Sequence, residues 1–126
     1  MIEKKIIVLH GSTPITPVSS AIIAGGFLYV SGQVGFDPVT RRFYGDDAVS
    51  QIRGMLENLK TILEQAGSSL SKVVKTTVFL TNLNDFDTLN AIYNEYFPSE
   101  QPARSCVIVA TLPKGALTEI EAIALV

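Results

Sequence analysis

Hydrophobic positions along the chain recur with two spacings, one of three to four residues and one of two. The segment 46–66 opens on two aspartates and then carries apolar residues at three- and four-residue spacing, which predicts an amphipathic helix. Gly67 stands where a glycine ends such a helix. The segment 84–97 has the same spacing and stops before Pro98, so it predicts a second helix.

Short runs of β-branched and aromatic residues predict the strands. The runs 21–24 and 27–31 flank Gly25 and Gly26, whose tolerance of positive φ suits a two-residue hairpin turn. The other predicted strands are 6–9, 73–80, 104–110 and 117–125. The strand, helix and strand between 73 and 110 predict a parallel crossover, whereas the early hairpin and the final pair of strands are expected to be antiparallel.

These elements predict an α+β fold of two layers, a mixed sheet with two helices on one face. No repeat or linker divides the chain, so residues 1–126 are expected to form a single domain. The charged share of 17% is low against a usual value of about 25%, while the apolar share is 47%. Either the surface is unusually apolar, or the uncovered sheet face packs against copies of the chain.

Charge and composition exclude several classes of function. A net charge of −2, with no Lys/Arg run longer than two residues, argues against nucleic acid as a partner. No apolar stretch approaches the ~20 residues of a membrane span, and the N-terminus has a strand pattern instead of a signal peptide. We therefore expect a soluble, cytoplasmic protein. One Cys and one His cannot form an internal disulfide or a His/Cys zinc site, so no metal is expected, although carboxylate ligands alone stay open.

Arg104 is the first candidate for chemistry, because it opens the strongly apolar run 105–109. The fork of donors on a guanidinium matches a carboxylate or phosphate, but an arginine at a strand end can also simply reach water or pair with an acid. Glu119 and Glu121 fall on one face of the last strand because their spacing is two. They either lie in solvent, where acids deter edge pairing, or place one carboxyl in a pocket suited to proton transfer.

Three further side chains have both a structural and a chemical interpretation. Cys106 is either a small buried hydrophobe or a nucleophile, and the second role needs a base that only His10, in a distant loop, would supply. Ser31, in a Ser-Gly-Gln tract, suits a binding loop or an ordinary turn. Asn90, in the second helix, is either solvated or placed at a pocket. The residues alone leave these alternatives open.

Several short tracts form a specific set. They are YVSGQ at 29–33, LENLK at 56–60, AGSSL at 66–70, VVKTTVFL at 73–80, YF at 96–97, PARS at 102–105, LPK at 112–114 and EIEA at 119–122. The most specific signal is PARS together with EIEA at this separation. Over nearly the whole chain, from about Pro17 to Val126, the set resembles the RidA (YjgF-like) family of imine deaminases.

The resemblance implies a chorismate-mutase-like fold assembled as a homotrimer, with ligand clefts between subunits. It implies a cofactor-free hydrolysis of reactive 2-enamine and 2-imino acids, such as 2-aminoacrylate and 2-iminopropanoate, to 2-keto acids and ammonia. By its place in the motifs, Arg104 would clamp the substrate carboxylate and Glu119 would position or activate the attacking water. Ser31, Asn90 and the backbone of Cys106 would line the cleft.

One position departs from the family pattern. Where the family has Gly-Pro-Tyr-Ser-Gln, this chain has Thr-Pro-Val-Ser-Ser at 16–20, so Val18 replaces a tyrosine whose hydroxyl faces the cleft. Losing a polar contact at a reacting site can cost orders of magnitude in rate or shift substrate choice. A more apolar pocket would also admit a branched or longer substrate side chain.

The sequence therefore supports three hypotheses. The favoured one is a deaminase that acts on small imino acids and releases keto acids. The second is a non-catalytic protein that binds small carboxylates, such as 2-keto acids, in the same cleft, as Val18 would allow. The third is a role with RNA or translation, also attributed to some relatives of the resembled family, which the acidic charge balance argues against.

Overall fold

A mixed sheet of six strands organises the part of the chain described by the computed structural model, residues 3–9 and 17–126. The strands are β1 (Lys5–Ile7), β2 (Ala21–Ala24), β3 (Phe27–Val34), β4 (Val73–Leu80), β5 (Ala103–Ile108) and β6 (Thr118–Leu125). The helices are α1 (Ala48–Gln65) and α2 (Phe86–Tyr96), with short 3-10 turns at 70–72, 83–85 and 113–115. Their order and layering confirm the predicted α+β fold.

Helix α1 begins and ends where its capping residues predict. The Asp47 carboxylate accepts the backbone N–H of Ser50 at 2.8 Å, which satisfies one of the free amides of the first turn. At the other end Gly67 has φ +83°, and the Ser68 amide donates to the carbonyl of Leu63 at 2.8 Å. This closure is a Schellman motif, and its left-handed residue is the predicted glycine.

The hairpin between β2 and β3 also confirms its sequence signal. Gly25 and Gly26 have φ values of +59° and +83°, so both central residues of the turn are left-handed. Ala24 pairs with Phe27 across this two-residue loop. A turn with two positive φ angles matches the twist of antiparallel strands, and glycine adopts it without steric cost.

The order of the strands corrects one prediction. The sheet runs β1-β2-β3-β6-β4-β5, so β6 lies between β3 and β4 and is antiparallel to both. The expected pairing of the last two strands, β5 with β6, is therefore wrong, whereas the parallel pairing of β4 with β5 across α2 is confirmed. Strand β6 has every second residue buried and needs neighbours on both sides, while no residue of β5 is fully buried, so β5 forms the edge.

The two sheet faces differ in what covers them. The buried residues of α1 pack on the side of β3 and β6 that carries Leu28, Val30, Ile120 and Ala122. The opposite side, here called the open face, carries alternate residues that no helix covers, among them Tyr29 and Leu125, each 46% exposed. No helix in the described part of the chain is both long and apolar enough to cross a membrane.

Candidate functional site

Arg104 is held against aromatic rings of α2. It pairs in register with Thr76 on β4, whose hydroxyl is buried and lies 2.7 Å from the hydroxyl of Tyr93. Arg104 therefore faces the helices, and its Cζ lies 4.9 Å from the ring centroid of Tyr93 and 5.8 Å from that of Phe86. Within residues 3–9 and 17–126 no carboxylate forms a salt bridge with this guanidinium. Cation–π contacts thus orient a half-buried cation while leaving its donors for a ligand.

Asn90 shares a helix face with the two rings that hold Arg104. It follows Phe86 by four residues and precedes Tyr93 by three, and residues at these spacings lie side by side on a helix. Its side chain is half-buried. Asn90 therefore lies on the helix face that carries the two rings, and its place in a binding site stays a prediction.

Cys106 lies two residues beyond Arg104 on β5, on the same face, and packs against the hydrophobic core. Burial raises the pKa of its thiol, and the nearby charge of Arg104 offsets part of that rise. A raised pKa keeps the sulfur protonated at neutral pH, which is the wrong state for a nucleophile. The base considered for it, His10, lies outside the described residues. We call Arg104, Asn90 and Cys106 the arginine half-site.

Glu119 lies on β6 with Val34 of β3 on one side and Phe79 of β4 on the other. Burial raises the pKa of its carboxyl, and the charge of Glu121, on the same face, raises it further. Of the first interpretation of this acidic pair, the position at a sheet edge is wrong, because β6 is central. Glu121 is exposed to solvent, whereas Glu119 is half-buried. A carboxyl with a raised pKa suits proton transfer near neutrality.

A β-bulge next to Glu119 makes room for its carboxylate. The register between β3 and β6 shifts between Val30 and Gln33, so Ser31 and Gly32 together occupy the place of one residue. A Cβ on Gly32 would overlap the carboxylate of Glu119. The sequence prediction named Ser31 from this tract and missed Gly32, although a glycine inside a strand is a signal of close approach.

Ser31 ties the preceding segment to the bulge. Its hydroxyl donates to the carbonyl of Ser19 at 2.6 Å, and its amide donates to the carbonyl of Ser20 at 3.0 Å. Val18, which precedes Ser19 in that segment, is 62% exposed. We call Glu119, Ser31, Gly32 and Val18 the glutamate half-site.

The two half-sites lie on opposite faces of the sheet. Along β6 the residues that alternate with Glu119 are buried under the helices, so Glu119 faces the open side. Arg104 faces the helices, as its contacts with α2 show. The structure therefore brings the predicted residues together in two groups, and one chain cannot place both groups on one small ligand.

The described ranges contain no cluster of candidate metal ligands. Among residues 3–9 and 17–126, no three side chains of His, Cys, Asp or Glu are grouped as a metal ion would require. The charged groups of the two half-sites are a guanidinium and a carboxyl, and their other members are uncharged.

Comparison with known proteins gives a consistent result. A family model described as "Endoribonuclease L-PSP" matches residues 10–126. A RutC family protein of Pyrococcus horikoshii is 51% identical over 111 residues, 88% of either chain. The human 2-iminobutanoate/2-iminopropanoate deaminase is 43% identical over 111 residues, which are 88% of this chain and 81% of the human one.

Solved structures agree with the sequence relatives. YyfA of Yersinia pestis, described as a member of the conserved Rid protein family, superposes with a TM-score of 0.92 at 44% identity, over 98% of this chain and 100% of its own. E. coli TdcF, crystallised with bound serine, superposes with a TM-score of 0.90 at 40% identity, over 97% of this chain and 98% of its own.

Proposed function

The chain belongs to the endoribonuclease L-PSP family, which includes the RidA-type proteins, and from this premise we propose that it hydrolyses 2-imino acids to 2-keto acids and ammonia. The observation that carries the proposal is the guanidinium of Arg104, held on two aromatic rings with no acid paired to it in the described chain. A 2-imino acid offers the carboxylate that such a cation binds. The human relative named as an imine deaminase supports the same reaction.

Arg104 would bind the substrate carboxylate with two charge-assisted hydrogen bonds. A guanidinium presents its donors in one plane, which matches the two oxygens of a carboxylate. The rings of Phe86 and Tyr93 limit how that plane can turn, so the substrate carbon next to the carboxylate is also placed. The serine bound to E. coli TdcF is a small amino acid with the same carboxylate, which supports this class of ligand.

Glu119 would act as the general base for the attacking water. In the reaction, water adds to the carbon of a protonated C=N bond, and the proton that water loses passes to the carboxylate of Glu119. The tetrahedral adduct then takes that proton on nitrogen, which leaves Glu119 ionised again. As the C–N bond breaks and ammonia leaves, the hydroxyl of the adduct gives its proton to the Glu119 carboxylate and becomes the carbonyl of the keto acid. Because burial raises the pKa of Glu119 toward the working pH, the same group can accept the proton and return it.

A complete site requires two copies of the chain. Arg104 and Glu119 face opposite sides of one sheet, so a ligand that contacts both must lie between two subunits. The open face carries exposed Phe27, Tyr29 and Leu125, which an isolated chain would leave in water. We propose that this face packs in a homotrimer, as the family resemblance implies, and that β5 of one subunit approaches the bulge of the next.

A coupled assay tests the proposal. An amino-acid oxidase generates the imine, and the protein is expected to accelerate keto-acid formation over the spontaneous rate. Arg104→Ala should reduce kcat/KM by about 100-fold, since hydrogen bonds to a charged group contribute roughly 1.5–3 kcal/mol each. Arg42→Ala, which removes an exposed arginine, is the matched control. No acceleration by the parent, or equal acceleration by Arg104→Ala, would contradict the proposal.

A second function is favoured by Val18 alone. Without a hydroxyl at this exposed position, the cleft could bind 2-keto acids without turning over imines. Titration calorimetry with pyruvate would then show binding that depends on Arg104, while the coupled assay stays at background. A Val18→Tyr protein that gains activity where the parent has none would establish this binding function over the enzyme.

A further inference from the structure

Thr76 is a polar residue within the apolar core, next to Arg104 on the neighbouring strand. It lies on the covered side of β4 and its side chain is fully buried. The next residues of β4 on that side, Val78 and Leu80, are buried aliphatic side chains. A valine at position 76 would fill nearly the same space without a hydroxyl. Because a buried hydroxyl costs free energy unless it is hydrogen-bonded, the partner of this hydroxyl indicates what it does.

That partner is Tyr93 of α2, whose hydroxyl oxygen lies 2.7 Å from the hydroxyl oxygen of Thr76. The hydrogen bond joins α2 to the sheet. Two other side chains of α2 bond α1 instead, and these pairs are Glu95 with Arg53 and Tyr96 with Glu57. The bond from Thr76 therefore fixes the far end of the Tyr93 ring relative to β4, the strand that pairs with the strand of Arg104.

The ring of Tyr93 is also the nearer of the two rings that hold Arg104. Its centroid lies 4.9 Å from the guanidinium carbon, against 5.8 Å for the ring of Phe86. A cation is attracted to the face of a ring, so a ring that moves carries the preferred position of the cation with it. Phe97 packs on Tyr93 at 4.7 Å, but apolar packing has no preferred direction, whereas a hydrogen bond does.

We propose that Thr76 is a positioning residue of the arginine half-site. Its hydrogen bond to Tyr93 fixes the ring on which the Arg104 guanidinium lies, and the guanidinium in turn sets where a substrate carboxylate binds. The inference rests on the proposed function in one respect, that Arg104 binds a carboxylate. Stability alone does not account for the pair, because replacing both partners of a buried hydrogen bond by apolar groups of the same shape can be nearly neutral.

Steady-state rates in the coupled assay test the proposal. Thr76→Val and Tyr93→Phe should each raise KM about 10-fold with little change in kcat, because a displaced guanidinium binds the carboxylate less well while Glu119 is untouched. Thr76→Ser keeps the hydroxyl and should have nearly the KM of the parent. An unchanged KM in Tyr93→Phe, with Arg104→Ala still impaired, would overturn the role of Thr76 and leave the proposed function standing.

The double variant separates positioning from stability. Each single variant leaves one buried hydroxyl without its partner and should lower the Tm, whereas Thr76→Val combined with Tyr93→Phe removes both and should unfold no earlier than either single variant. Its KM should stay about 10-fold above that of the parent instead of about 100-fold, because the two changes break one contact. A KM that returns to the parent value together with the Tm would show a purely structural role and overturn the proposal.

Ser68→Ala is the matched control for the loss of a buried hydroxyl. The Ser68 hydroxyl donates to the carbonyl of Leu125 at 2.6 Å, at the end of β6, and so bonds neither α2 nor β5. Its removal should lower the Tm and leave KM unchanged. An equal rise of KM in Ser68→Ala would attribute the effect to general destabilisation and overturn the positioning role.

Titration calorimetry with pyruvate gives a readout that needs no turnover. Thr76→Val should weaken pyruvate binding about 10-fold in the otherwise unchanged protein, and it should add no further loss in the Arg104→Ala protein, where the positioned group is absent. Equal pyruvate affinity of Thr76→Val and the parent, with binding that Arg104→Ala abolishes, would overturn this inference alone. Pyruvate binding that Arg104→Ala leaves intact would instead contradict the role of Arg104 in the proposed function, and the positioning of Arg104 with it.

Discussion

The arginine half-site and the glutamate half-site differ in the strand that carries the charged residue, in the sheet face on which it lies and in how it is held. Arg104 lies on β5, at the edge of the sheet, and side chains at helical spacing on α2 hold it from the covered face. Glu119 lies on central β6, and a backbone bulge on the neighbouring strand leaves space for its carboxylate on the open face. The first half-site presents a cation, and the second raises the pKa of a carboxyl.

This difference explains why the two groups tolerate change differently. The rings around Arg104 can keep their packing when the cation is removed, because Tyr93 also packs on Phe97 at 4.7 Å and contacts Thr76. The carboxylate of Glu119 instead lies against the backbone of Gly32, which has no rotamer to move. Chemistry at the glutamate half-site should therefore be the more sensitive to small changes of shape.

The largest effect is expected from the glutamate. Glu119→Gln keeps the shape of the side chain but removes the base, so kcat should fall by about 10²- to 10⁴-fold with little change in KM. Initial rates in the coupled assay measure this. An Arg104→Ala protein should instead show most of its loss in KM, and the reverse pattern would invalidate the division between the half-sites.

The pH profile belongs to the same prediction. Since burial and Glu121 both raise the pKa of Glu119, the base form is lost at a higher pH than for a carboxyl in water, and the rate falls as pH decreases through that raised pKa. Glu121→Gln removes a like charge, so the acid limb of the profile should move to lower pH. An unmoved limb would show that Glu121 does not act on the titrating group.

A smaller loss is expected from the bulge. Gly32→Ala places a methyl group where the Glu119 carboxylate lies, so the carboxylate must turn away. A displacement of about 1 Å can cost up to about 100-fold in rate, and we expect a kcat loss of that order with Tm little changed. Full activity of Gly32→Ala would mean that Glu119 acts from another position.

The smallest deficit is expected when two impaired proteins are mixed and assayed at a low substrate concentration, where the Arg104→Ala protein is slow. Arg104→Ala and Glu119→Gln, unfolded together and refolded at equal concentration, should recover about a quarter of the parent rate, because random assembly joins an intact Arg104 to an intact Glu119 in about one site in four. The same mixture without subunit exchange is the control. If exchange is confirmed by mass spectrometry and no activity returns, both half-sites come from one chain.

Much of the fold could be predicted from the sequence, because the signals are local. Helix α1 follows from its apolar spacing, the Asp47 cap and Gly67, and the β2–β3 hairpin follows from two adjacent glycines. The parallel pairing of β4 and β5 follows from the helix between them. The pairing of β5 with β6 failed because strand order depends on how deeply each whole strand is buried, which no short segment encodes.

The candidate site, like the fold, could be predicted from the sequence only in part. The motifs around Arg104 and Glu119 indicated which residues to consider, but the residues themselves left a structural alternative open for each. The cation–π contacts of Arg104, and the burial that raises the pKa of Glu119, depend on neighbours far away in sequence, whereas Glu121, which raises that pKa further, is two residues away. The role of Gly32 needed the register of β3 against β6, although its place inside a strand was a usable signal.

By itself the sequence determined the periodicity of each element, the residues that cap and turn them, and the family that the chain belongs to. Only the tertiary structure decided that β6 is central, and with it that Arg104 and Glu119 face opposite sides of the sheet. The physical reason is the distance along the chain over which each kind of interaction acts. Spacing and caps act over a few residues, whereas the face that a strand residue occupies is fixed by its register with partners distant in the chain.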